Sequence, residues 1–134
     1  MSMAAINLWA VVVAAVSAFA LGAVWYGPLF SKSWQSFNGL TDADVQSDAP
    51  RTFGGAFALT LIAAFGLAML MQLHPAPGFS SGFGVGSVIG LSFIATSLGI
   101  NYLFARKPLA LYFIDAGYLV IMVAVMATII GGWR

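Results

Sequence analysis

Residues 109–133 read LALYFIDAGYLVIMVAVMATIIGGW, 25 consecutive positions in which Asp115 is the only acidic side chain. An α-helix rises about 1.5 Å per residue, and about 20 apolar residues cross a hydrocarbon core roughly 30 Å thick. This stretch is therefore long enough to span a bilayer. It shows no alternation with period two, and a segment in lipid must satisfy its own backbone hydrogen bonds, so the form it predicts is a helix.

Working outward, three more runs of the same kind appear: Ala4 to Tyr26, Phe53 to Leu73 and Gly82 to Phe104, with the quoted run as the fourth, Leu109 to Trp133. The composition agrees. Of 134 residues, 61% are hydrophobic and only 7% charged, where a soluble domain carries roughly a quarter charged residues; mean hydropathy is +0.98. The sequence thus predicts an all-α integral membrane bundle of four transmembrane helices in two antiparallel hairpins, forming one membrane domain over 1–134 with an interfacial loop over 28–52. The first run is read as a span and not as a signal peptide, because Met1 to Leu8 carries no basic side chain and the run is longer than an ordinary signal core. The expected partner is the lipid bilayer, and a net charge of +1 gives no reason to expect nucleic acid.

The loops set boundaries and orientation. Trp25 and Tyr26 suit an interfacial aromatic belt, and Gly27-Pro28 is expected to stop the first helix. His74-Pro75-Ala76-Pro77-Gly78 and Arg106-Lys107-Pro108 read as turns. In the longest loop, Phe30, Trp34 and Phe37 fall at helical spacing opposite Lys32 and Gln35, predicting a short interfacial helix. Thr41 and Asp44 fit a capping-box pattern, although polar residues follow. Lys32, Arg51, Arg106 and Lys107 lie in the first and third loops, against Arg134 alone elsewhere. The positive-inside rule then places those loops in the cytoplasm and both termini outside a multi-pass cell-membrane protein.

Helices in lipid associate through small residues that let backbones approach. Gly82, Gly86 and Gly90 recur every four residues on the third span; Ala14, Ala18 and Gly22 do so on the first, and Ala124, Thr128 and Gly132 on the fourth. These rows predict packing within the bundle, with a homodimer seam as the alternative.

An ionisable group inside a span is costly and marks a functional site by default. Asp115 lies seven residues past Pro108, about 10 Å into its helix. Asn101 and Tyr102 precede the Arg106-Lys107 turn, and Trp25 and Tyr26 end the first span on the same face. Tyr112 and Tyr118, three residues either side of Asp115, share its helix face and are expected to donate to it. The candidate ligand or proton site is therefore Asp115, Asn101, Tyr118, Tyr102, Trp25 and Tyr26. Three roles fit: a structural acceptor, a ligand or ion contact in a cytoplasmic-side cavity, or a proton-coupling group. No metal and no cofactor is expected, since His74 is the only histidine and no cysteine is present. No acid pair or activated nucleophile occurs within a span, so no enzyme is predicted. One echo stands out. Leu21-Gly22-Ala23-Val24-Trp25-Tyr26 resembles Leu98-Gly99-Ile100-Asn101-Tyr102, as two tandem hairpins would produce.

Asn7-Leu8-Trp9, the helix ending Gly22-Ala23-Val24-Trp25-Tyr26-Gly27-Pro28-Leu29-Phe30, the later Asn101-Tyr102-Leu103-Phe104 and Ile114-Asp115-Ala116-Gly117-Tyr118 together resemble the bacterial domain of unknown function 1761 family. That resemblance covers nearly the whole chain and implies a four-helix bacterial inner-membrane protein of unassigned activity. Small multidrug-resistance exporters also have four short spans, but their essential acid lies in the first helix, where this chain has none. Two function classes follow: a ligand-binding or transporter-like bundle, its small-molecule ligand unknown, or a structural or accessory membrane protein in which Asp115 only stabilises the hairpin of spans three and four.

Overall fold

The computed structural model describes residues 5–134, and every regular element among them is helical. Ala4, the expected start of the first span, lies outside the described residues. Helix α1 (Leu8–Val24) runs into a π turn at Trp25–Leu29, followed by α2 (Ser31–Asn38), α3 (Asp42–Ser47), α4 (Ala49–Met71) and α5 (Phe79–Ile89). A second π turn at Gly90–Ile94 leads into α6 (Ala95–Phe104), and α7 (Leu109–Gly132) completes the chain. Four continuous helical stretches, Leu8–Leu29, Ala49–Met71, Phe79–Phe104 and Leu109–Gly132, are long and apolar enough to cross a membrane. They match the four expected runs to within a few residues.

Two boundary expectations are corrected. Gly27-Pro28 does not stop the first helix. The chain widens into a π turn, with the Phe30 N–H donating to the Trp25 carbonyl at 2.9 Å, so Pro28 sits inside the helical stretch despite lacking a donor. The region 28–52 is likewise more structured than a loop. Thr41 and Asp44 form a complete capping box, with the Asp44 N–H donating to Thr41 Oγ1 at 3.2 Å and the Thr41 N–H to Asp44 Oδ2 at 2.9 Å. Those bonds satisfy two donors that a helix start leaves free, and α3 forms despite its polar sequence. The short helix expected in this region is α2, with Trp34 edge-on to Tyr26 at 5.8 Å.

Helix α7 is the centre of the assembly. In it, 44% of the most apolar window is buried, against 11% for Phe79–Phe104 and 17% for Ala49–Met71. The pairing Gly78–Gly131, Gly86–Ala124 and Gly90–Val120 runs the third span antiparallel to α7. Asn7–Trp133, Ala18–Tyr118 and Trp25–Ile114 do the same for α1. The expected close approach on the third span is there, and it is made within the chain. A Cβ built on Gly82 would sit 2.1 Å from the Ala127 carbonyl oxygen, and one on Gly86 2.9 Å from Ala124 Cα. Only glycine leaves room for α7 at these positions. Ala10, Ala14 and Ala18 of α1 are buried with Ala64, Leu67 and Met71 of α4 and Met122, Met126 and Ile130 of α7. At the end near Gly131, the Arg134 guanidinium donates to the carbonyls of Met71 and His74, where α4 ends.

Candidate functional site

At the opposite end of α7, Asp115 accepts two hydroxyls from two different helical stretches. Tyr26, in the π turn after α1, donates to Oδ1 at 2.7 Å, and Tyr102 of α6 donates to Oδ2. Both donors are neutral hydroxyls, and no cation is within ion-pair distance; among the described residues the one salt bridge joins Arg51 and Asp48. A half-buried carboxylate is stabilised by charge-assisted hydrogen bonds, and the two tyrosines supply one to each oxygen.

The sequence expectation for the neighbouring tyrosines is corrected by this geometry. Tyr118 donates to the Ala18 carbonyl at 3.0 Å and Tyr112 to the Ala95 carbonyl at 2.8 Å, so neither reaches Asp115. Side chains at i±3 on a helix lie side by side and point outward together, which sends their tips to the facing helices. Asn101 also stays apart: it is exposed on α6, and its amide makes no hydrogen bond among the described residues. Trp25 has a larger part than a belt residue. Its indole Nε1 donates to the Ile114 carbonyl at 2.9 Å, and its ring covers Gly117, where a Cβ would lie 3.0 Å from Trp25 Cζ2.

The echo between the first and third spans now has a physical content. Gly22 lies under Tyr118, whose hydroxyl reaches the carbonyl of Ala18 one turn before it; Gly99 lies under Tyr112, whose hydroxyl reaches the carbonyl of Ala95 one turn before it. In each segment the tyrosine that follows, Tyr26 or Tyr102, donates to one oxygen of Asp115. Each glycine seats one aromatic ring of α7, and each tyrosine grips the same carboxylate. The sequence reading missed Gly22 and Gly99 in this role; the signal for it was the shared order Leu-Gly…Tyr, with the tyrosine four residues after Gly22 and three after Gly99. Tyr26 also meets Tyr118 edge-on at 5.3 Å, and Tyr102 meets Tyr112 at 6.2 Å, closing an aromatic collar around the acid.

Two cavities lie away from this collar. One, of about 330 Å³, is an apolar groove between α5 and α7 lined by residues such as Phe83, Ser87, Val120 and Thr128. The other, of about 250 Å³, lies between Asn7, Ala10, Ala68, Gln72 and Arg134. Neither includes Asp115 or its tyrosine donors. Among the described residues no three His, Asp or Glu side chains come together as a metal site.

The chain has no match among curated proteins or solved structures. Over residues 9–131, nearly its whole length, it matches the family described as "Protein of unknown function (DUF1761)", and it belongs to that family.

Proposed function

We propose that this is a multi-pass protein of the bacterial inner membrane, its four helices crossing as two antiparallel hairpins, with a structural or accessory role and no catalytic one. The first and third loops face the cytoplasm and the termini face outward, because Lys32, Arg51, Arg106 and Lys107 cluster at one end of the spans. In this reading Asp115 is a tie. The observation that carries it is the occupation of both carboxylate oxygens by tyrosines from two other helical stretches, Tyr26 and Tyr102. A carboxylate engaged on both sides by its own chain is arranged to hold helices together, and a free ligand would have to displace one of those hydroxyls.

The second reading, a ligand-binding or transporter-like bundle with Asp115 on a cytoplasmic-side cavity, has one observation in its favour: Asp115 and both of its donors are only partly buried, so solvent or a solute can approach the collar. One experiment separates the two. Asp115→Asn is placed in proteoliposomes and assayed for proton-dependent flux, and its unfolding in detergent is measured in parallel. The tie predicts lower stability and no change in flux. A loss of proton-dependent flux at unchanged stability would replace it with the transporter reading.

A further inference from the structure

Asn101 is the one amide in the membrane-spanning part of α5–α6, and it points away from the bundle. Its neighbours Tyr102 and Gly99 face α7, through the bond to Asp115 and the contact with Tyr112. Asn101, Ser97, Ile100 and Phe104 are all exposed and lie along the other side. Leu103 and Phe104, 80% and 86% exposed, sit nearer the helix end than Asn101, so a bilayer that covers them also covers the amide. There the Asn101 side chain would hold two donors and an acceptor in hydrocarbon without a partner, a cost of several kcal/mol on apolar-transfer scales. Something polar has to meet it.

We propose that the exposed face of the third span, centred on Asn101, is where a second copy of this chain binds. Two copies inserted with the same topology carry every residue at the same depth, so a two-fold axis along the membrane normal brings Asn101 opposite Asn101. The amide is self-complementary, each donating to the other's carbonyl oxygen. A partner of any other kind would need its own polar group at that depth. Ser97, one turn away on the same face, already donates to the Phe93 carbonyl, so it presents a small, satisfied surface that lets the second helix come close. The third span also has the face to give, since only 11% of its apolar window is buried within the chain. The glycine row that could have served as a dimer seam is used up against α7, which leaves this opposite face for association.

The inference rests on the membrane reading above, and the test keeps the two apart. The chain has no cysteine, so single-cysteine variants report one position each. Asn101→Cys and Ser97→Cys are compared in native membranes with Leu59→Cys and Ile62→Cys, two positions on α4 that are equally open to lipid. Protection of all four thiols from a membrane-impermeant maleimide reports insertion. Oxidative cross-linking then reports pairing. The expected result is rapid disulfide formation between copies at positions 97 and 101 and little at 59 and 62. Asn101→Leu should weaken self-association in lipid about 10-fold, the factor set by about 1.4 kcal/mol for a polar contact, and Asn101→Gln should keep it. Cross-linking that favours α4, or self-association unmoved by Asn101→Leu, overturns the interface; unprotected thiols at all four positions overturn the membrane reading, and the interface with it.

Discussion

The two ends of the contact between the third span and α7 are held by opposite means. At the Gly82–Gly86 end, backbone meets backbone with nothing larger than the Ala127 methyl between, and Gly82 would place a Cβ 2.1 Å from the Ala127 oxygen. At the Asp115 end, Tyr102 and Tyr112 fill the gap, and hydroxyls carry the contact to a carboxylate and a carbonyl. In the bilayer proposed above, lipid tails are as apolar as leucine, so burial alone would give the helices little reason to associate. Close dispersion contact and hydrogen bonding are the two remaining means, and this molecule uses one at each end of a single helix pair. Contact by glycine tolerates no added atom, whereas contact by tyrosine tolerates shape changes but not the loss of a polar partner.

That contrast can be broken from either side. The largest effect is expected at the glycine end, where Gly82→Ala forces α5 away from α7 and should cost about 3 kcal/mol or more in SDS-driven unfolding, at the upper end for overpacking. Asp115→Ala leaves two tyrosine hydroxyls without their acceptor and should cost about 2 to 3 kcal/mol in the same assay. Trp25→Phe removes both the donor to Ile114 and the Cζ2 edge that covers Gly117, and about 1 to 2 kcal/mol is expected. Gly54→Ala sharpens the comparison by changing sign. Nothing lies within 4 Å of the Cβ it would add in α4, so stability should rise by up to about 1 kcal/mol through helix propensity alone. The smallest effect lies outside the spans. The Thr41 backbone and hydroxyl bonds hold the Asp44 carboxyl below its ordinary range, so its capping contribution is present above about pH 4 and fades as the pH falls through the lowered value. Protection of the Asp44 and Val45 amides, measured against the intrinsic exchange rate at each pH, should fall on acidification before that of α4 does.

How much of this could be read from residues differs between the same two ends. The glycine row on the third span was legible because close approach on one helix face needs small residues four apart, and that spacing is visible in any listing of the chain. Asp115 was legible as a lone acid in a run of apolar residues. Its partners were not, because hydrogen bonds in a bundle are made across helices, and helical spacing along α7 pointed to Tyr112 and Tyr118, whose hydroxyls reach past the acid to facing carbonyls. Pro28 misled for a different reason. The rule that proline ends a helix assumes four-residue hydrogen bonding, and the chain passes the missing donor by widening one turn. The outward face of Asn101 was equally hidden, since deciding which side of a helix is free requires knowing which side is taken.

The most direct measurement is a double-mutant cycle between Tyr102→Phe and Asp115→Asn, read by reversible unfolding in lipid bicelles. If the acid is a tie between helices, the two changes should be less than additive, with a coupling of about 0.5 to 1.5 kcal/mol, and the cycle of Tyr26→Phe with Asp115→Asn should behave alike. Full additivity in both cycles would contradict it, leaving Asp115 with no measurable share in holding the spans together.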